Sequence, residues 1–304
     1  MAPSGARQVE TEAVSAIRLT ATVAFTSASQ GNLLVGNVVF RDGNQVLGTV
    51  PLSANGVVQF TTQPLTSLGN HTLSATFVSL NSVVGSAGNL TQIVQTAALE
   101  PDPSNPSLMA LAVGTSSGNA TIELVSQKGS KPVQVKVNGK SIGSFAPTGA
   151  LLAYGGPSRS TIKVDRALRQ TALLFGSSGT NTITAGGGPT VLVGGPGTDT
   201  LNGGPAACIL IGGTGKNTLT AGSGGSILIG GKTNYDRNEA ALLALLSEWR
   251  GGESIDTKIA HMKAGSHLAK GVPLNTTTAL NAGAVDTLIG GTGTDWFLNL
   301  STKD

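Results

Sequence analysis

Residues 176–229 read GSSGTNTIT, AGGGPTVLV, GGPGTDTLN, GGPAACILI, GGTGKNTLT and AGSGGSILI when cut every nine residues from Gly176, and the register fails only in the next unit, GGKTNYDRN. The eighth position is aliphatic throughout: Ile183, Leu192, Leu201, Leu210, Leu219 and Leu228. Self-similarity at fixed spacing implies stacked coils, each touching only its neighbours and burying a continuous apolar column. A single unit would leave that side chain in water. GGPSRSTIK from Gly155 and GTSSGNATI from Gly114 fit the pattern loosely and carry the expected solenoid upstream, over residues 109–235.

This unit resembles the RTX nonapeptide G-G-x-G-x-D-x-U-x, whose glycine-rich part forms a turn and whose end forms a short strand. The resemblance implies a right-handed parallel β-roll with two units per coil, so that positions 18 residues apart stack. It also implies calcium, held by sixth-position aspartates and backbone carbonyls, since the ion takes about six to eight oxygens. Here the sixth positions are Asn181, Asp199 and Asn217 in one column and Thr190, Cys208 and Ser226 in the other. Two readings follow. Asp199 with Asn181 or Asn217 keeps a weak calcium site, or neutral polar side chains replace the metal by hydrogen-bonding along the stack. A net charge of +3 favours the second, because calcium-loaded repeats are rich in Asp. The expected cofactor is therefore none, or weak calcium. Cys208, alone among Ile and Leu, reads as a small buried hydrophobe.

Upstream, residues 14–98 carry short alternating runs, among them 17–23, 37–40, 45–50, 57–60, 71–77 and 90–94. Asp42-Gly43-Asn44 and Asn55-Gly56 punctuate them as turn and hairpin signals. This predicts an antiparallel β-sandwich. The stretch resembles bacterial Ig-like repeats of large surface proteins, through Val39-Phe40-Arg41-Asp42-Gly43, Val46-Leu47-Gly48 and the run from Gly69 to Phe77. Residues 1–13 are polar and expected to be disordered. With three prolines between Glu100 and Leu108, residues 99–108 read as a Pro-rich linker. Beyond it, Thr121–Val125 and Val133–Val137 read as strands near a further hairpin signal, Asn138-Gly139.

After the repeats, residues 236–304 are expected to form a helical cap and a C-terminal strand. Asp236 reads as an N-cap with Glu239 as its capping-box partner, followed by an apolar face of Leu242, Leu243, Leu245, Leu246 and Trp249. A second helix is expected over about 254–263, with Ile255, Ile259 and Met262 on one side. An open solenoid end exposes strand edges, so these helices are placed there as its lid. The tail then returns to the repeat idiom, with Asp286 and Asp295 as further possible ligands and Trp296 and Phe297 packing under the cap. From about residue 103 to 300, the succession resembles the C-terminal ends of large planctomycete surface proteins. The fold class is thus all-β: an Ig-like sandwich followed by a parallel solenoid capped by one or two helices.

Composition excludes more than it identifies. Lys128, Lys131, Lys136 and Lys140 approach a cluster without stacking aromatics, which argues against nucleic-acid binding. No apolar run reaches membrane-spanning length, and no signal peptide is visible in residues 1–30. His261 and His267 lie six apart and match no common metal-ligand spacing, and His71 falls in a sandwich strand. The motif of a phosphate loop is missing, and Gly212-Gly213-Thr214-Gly215-Lys216 reads as a solenoid turn. The expectation is a noncatalytic extracellular or cell-surface structural or adhesion module, with other surface proteins or cell-envelope polymers as partners. A calcium-binding module that orders on secretion is the alternative, and a glycan-active enzyme or lectin a third reading without an aromatic platform.

Overall fold

The computed structural model describes residues 8–11, 18–23, 35–53, 56–61, 69–79, 84–115, 118–127, 132–280 and 283–298. They divide into two compact units, 1–96 and 97–304. Of the expectations above, those on residues 1–7, Ile17, Asn55, Lys128 and Lys131 fall outside the described residues.

In the first unit, alternation of apolar and polar side chains decides the faces. Along Gly36–Asp42 the residues Gly36, Val38 and Phe40 are buried and those between them are half-buried, as period-two geometry requires of a half-covered strand. The strand turns through Gly43-Asn44 into Gln45–Pro51, with Gly43 at φ +54. A five-stranded sheet runs in the order Gln8–Thr11, Val84–Gln95, Gly69–Ser79, Gly36–Asp42, Gln45–Pro51, and Arg18–Thr22 pairs with Val57–Thr61 in a second. Leu19, Val38, Phe40, Val58, Leu73 and Phe77 fill the space between them, and Phe40 stacks on Phe60 at 5.0 Å. This is the expected sandwich, with two corrections. Part of the supposedly disordered terminus is a strand: Gln8–Thr11 pairs in parallel with Gln92–Gln95, satisfying backbone groups that an edge would leave open. Nor do Gln45–Pro51 and Val57–Thr61 pair with each other, since they join different sheets.

The second unit is a parallel solenoid of two eight-stranded sheets. One, the open sheet, stacks Ala120–Ser126, Ser160–Val164, Asn181–Thr184, Thr200–Asn202, Thr218–Thr220 and Thr287–Ile289 in parallel. The other, the covered sheet, stacks Met109–Gly114, Leu151–Tyr154, Ala172–Phe175, Thr190–Val193, Cys208–Ile211, Ser226–Ile229 and Trp296–Leu298. Between them lie the eighth positions of the repeat, Ile183, Leu192, Leu201, Leu210, Leu219 and Leu228, each wholly buried. The loosely matching early units join the same column through Ile122 and Ile162.

At the N-terminal end the stack closes with antiparallel strands. Val133–Val137 and Lys140–Phe145 form a hairpin beside Ala120–Ser126, and its turn, Asn138-Gly139, has φ of +51 and +76. That is the double left-handed geometry for which Asn-Gly is suited. Ala97–Pro101 pairs antiparallel with Met109–Gly114 at the edge of the covered sheet. The expected linker at 99–108 is thereby corrected: the chain divides after Thr96, and the prolines sit in an edge strand and its turn. Proline is tolerated there because an edge strand has an unpaired side. Buried Asp102 organises the turn, accepting from Ser104 N–H and Oγ and from the Ala150 N–H.

The helices also stand elsewhere than expected. After Ile229 the chain leaves the stack, forms α1 (Glu239–Trp249) and α2 (Ile255–Ala264), and returns to add Thr287–Ile289 and Trp296–Leu298 as the last strands. The apolar face of α1, with Leu242, Leu243, Leu245, Leu246 and Trp249, packs in one cluster with Leu152, Leu173, Val191, Ile209 and Ile227 of the covered sheet. The helices therefore form a lateral insertion, and the stack ends in the returning strands, where Ile289 and Phe297 are exposed. Trp296 stacks on Trp249 at 6.3 Å. The reason is burial: strands such as Cys208–Ile211 are apolar on both faces, so their outer face needs a cover. Asn238, not Asp236, caps α1, accepting from the Ala241 N–H at 3.0 Å. Asp236 is already engaged by the N–H and hydroxyl of Thr233, and Glu239 bonds the Tyr154 hydroxyl rather than the helix start.

Candidate functional site in the turn columns

Both sixth-position columns form as the period requires. Asn181, Asp199 and Asn217 stack at successive coils and are buried, as are Thr190, Cys208 and Ser226. Within a turn, these side chains follow one rule. Thr190 Oγ1 donates to Gly188 O, Cys208 Sγ to Ala206 O, Ser226 Oγ to Gly224 O, Asn181 Nδ2 to Gly179 O and Asn217 Nδ2 to Gly215 O. Each closes its turn on the carbonyl two residues back. Asp199 has no proton to give when ionised, and it breaks the rule.

Between coils of the Asn181 column, the side-chain oxygen accepts the backbone N–H of the preceding sixth position. Asn181 N–H donates to Asp199 Oδ1 at 2.7 Å and Asp199 N–H to Asn217 Oδ1 at 2.9 Å. The helical insertion does not interrupt this ladder. Asn217 N–H reaches Asp286 Oδ1 and Ser226 N–H reaches Asp295 Oδ1, each across 69 residues. Asp286 and Asp295 are offered by the sequence as further ligands; Asp286 accepts the last ladder bond of the Asn181 column, and Asp295 accepts the Ser226 N–H in the other column, whose Thr190 and Cys208 N–H groups donate to Ala207 O and Gly225 O instead.

Calcium fits this column at one level and not at the others. Around Asn181, the amide nitrogen donates towards Ser177 O, Gly179 O, Gly194 O and Asp199 Oδ1, at 2.8 to 3.3 Å. An amide carries two N–H groups, so four oxygens converging on one nitrogen form a cradle suited to a cation and filled by the protein. At Asn217 the amide likewise occupies the turn. At Asp199 the cradle receives an acceptor instead, and Oδ2 is buried with no hydrogen-bond partner. Burial pushes the Asp199 carboxyl up to about 6, against the hydrogen bonds from Asn181 that favour its ionised form. A calcium ion there would be held by this carboxylate with amide and turn oxygens, and would supply the positive charge that burial denies it. Of the three residues marked by the sequence as ligands, only Asp199 offers an unpaired anion, while Asn181 and Asn217 turn a donor into the turn. Cys208 is inert by contrast: wholly buried, with burial pushing its thiol up.

The sequence passed over one constellation. Glu248, His261 and His267 come from α1, α2 and the 3₁₀ turn His267–Ala269 and meet at hydrogen-bonding distance. They are a group of ligand-type side chains close enough for a metal ion among the described residues. Spacing along the chain gave no signal, because Glu248 lies on another helix. His71 lies in the strand Gly69–Ser79 of the first unit.

Comparison with known proteins agrees with this architecture. Residues 5–97 match the family model of the bacterial Ig-like domain (group 3). Residues 175–206 and 209–234 match the RTX calcium-binding nonapeptide repeat (4 copies). No curated protein and no solved structure gives a significant match. The chain therefore carries a bacterial Ig-like domain followed by RTX repeats. Such domains are commonly structural modules of secreted or surface proteins. No helix among the described residues is long and apolar enough to cross a membrane.

Proposed function

We propose that the chain is a noncatalytic structural module of an extracellular or cell-surface protein, whose solenoid stands largely without calcium. The observation that carries this reading is the Asn181 amide in the carbonyl cradle of its turn. Side-chain donors close five of the six repeat turns, so protein atoms supply the cross-links that an ion supplies in a metal-loaded stack. The role is that of a spacer or adhesion stalk, with other surface proteins or cell-envelope polymers as partners. Thermal unfolding of the full chain in excess chelator tests it: the solenoid stays folded with a midpoint near that in calcium. Collapse of the fold on chelation would overturn it. Surface placement is checked by antibody labelling of intact cells.

The second reading, a calcium-binding module, is favoured by the orphaned Oδ2 of Asp199. It requires calcium binding at micromolar concentration that disappears in Asp199→Asn.

A further inference from the structure

Two histidines six apart are an unpromising pair until the chain path is followed. Helix α2 ends at Ala264, and Gly265, at φ +62, reverses the chain. His267 then opens the 3₁₀ turn in the left-handed region at φ +54, a conformation that a non-glycine residue adopts at a cost. The reversal brings both imidazoles to one carboxylate. His261 Nδ1 lies 2.8 Å from Glu248 Oε1 and His267 Nδ1 2.8 Å from Glu248 Oε2, which also accepts the Leu268 N–H. Glu248 is wholly buried.

Both oxygens of Glu248 serve as acceptors, which fixes the state of its partners. Each ring donates Nδ1–H to it, so in the neutral imidazole the lone pair is on Nε2, on the far side of the ring. The rings lie 5.0 Å apart with a tilt of 36°, and both side chains are partly exposed. Glu253, on the loop between the helices, brings Oε1 to 3.8 Å from His267 Nε2. That is too long for a hydrogen bond. It is a few tenths wider than the ~3.4 Å between two ligands of one tetrahedral ion with bonds of about 2.1 Å. The other oxygen of Glu253 is buried without a hydrogen-bond partner. A carboxylate behind two histidines, fixing their tautomers, is the outer-shell arrangement that orients imidazole ligands on a metal.

We infer that His261 Nε2, His267 Nε2 and Glu253 form a binding site for a divalent transition-metal ion of the zinc class, with Glu248 as the positioning carboxylate behind it. Two imidazoles and a carboxylate suit zinc and not calcium, which takes oxygen ligands. The ion would tie α2, the 3₁₀ turn and the interhelical loop together over the covered sheet, acting as a clamp on the insertion and independent of the turn columns.

The test is calorimetric titration of the metal-stripped full chain with zinc chloride, repeated in excess calcium. The expected result is one zinc per chain at micromolar affinity, undiminished by calcium, with a raised unfolding midpoint in zinc. His261→Ala and His267→Ala should each abolish binding, and His71→Ala, which alters the remaining histidine, should leave it intact. Because both former variants also disturb the bonds to Glu248, Glu253→Gln supplies the decisive arm. It leaves those bonds in place, and should weaken zinc at least tenfold while circular dichroism is unchanged. Absence of zinc binding, unchanged affinity in Glu253→Gln, or loss of binding in His71→Ala would each overturn the assignment.

Discussion

Asn181 and Asp199, one coil apart in the stack, share a single oxygen: Asp199 Oδ1 accepts the Asn181 backbone N–H at 2.7 Å and its side-chain amide at 2.8 Å. The other oxygen accepts nothing. One carboxylate is therefore both a doubly bonded link between two coils and an uncompensated buried acceptor.

Replacing it with the residue used at the neighbouring levels removes the defect. In Asp199→Asn the amide can close its turn as Asn181 and Asn217 do. The Asp199 carboxyl is raised from 3.8 to about 6 in the folded protein, so between these two values the folded state binds more protons than the unfolded one. Stability from this group is then greatest below the unfolded pKa and is lost as pH rises through 6. A shift of about two units corresponds to roughly 3 kcal/mol, which Asp199→Asn should recover in part at pH 8 and hardly at all at pH 3.5. Denaturant unfolding of both proteins at the two pH values measures it.

Asp102 has the opposite sign. Burial would raise its carboxyl, but hydrogen bonds from Ser104, Ala150 and Asn105 outweigh it and hold the group below its ordinary range. Its contribution is present above the unfolded pKa and is lost as pH falls through the folded one. Asp102→Ala should cost about 1–3 kcal/mol at pH 7, mainly by orphaning the Ala150 N–H, and the difference from wild type should narrow in acid.

The apolar column predicts a contrast between buried and exposed positions of the solenoid strands. Leu210 is wholly buried between coils, whereas Thr200 is exposed on the open sheet. Leu210→Ala should lose about 2–5 kcal/mol through lost burial and a cavity, and Thr200→Ala about 0.5 kcal/mol or less. Chemical denaturation distinguishes them.

At the turns, backbone runs against backbone. A Cβ added at Gly215 would lie 1.3 Å from Gly197 O, while one added at Gly252 meets nothing within 4 Å. Gly215→Ala should therefore prevent native stacking around its coil, and Gly252→Ala should leave the melting midpoint nearly unchanged. Circular dichroism during heating reports both.

Docking of the insertion can be followed optically. Both tryptophans of the chain, Trp249 and Trp296, sit at the contact between α1 and the last strand, and Trp249 Nε1–H donates to Gly225 O at 2.8 Å. Trp249→Phe should cost roughly 1 kcal/mol, the net worth of that bond. It should also leave emission that shifts with detachment of the helices ahead of, or together with, solenoid unfolding.

The repeat made the solenoid legible because its constraint is local and recurrent: every ninth residue meets the same surroundings, so Ile183 to Leu228 declare the column without knowledge of anything distant. Alternation and the Asp42-Gly43-Asn44 turn did the same for the sandwich. Asp236 misled because two cap-type residues stand close together, and the competition between them was decided by Thr233, whose N–H and hydroxyl claim Asp236.

Sequence by itself thus determined which side chains line the interior, where turns fall, and that the six units in register keep one sixth-position carboxylate, Asp199. Only the tertiary structure decided that the helices cover a sheet face rather than the end of the stack, and that Asn217 is followed in its column by Asp286, 69 residues on. It alone brought Glu248, His261 and His267 together. These outcomes rest on contacts between segments that no short-range pattern links, and they are set by the burial of apolar faces and the pairing of buried polar groups across the whole unit.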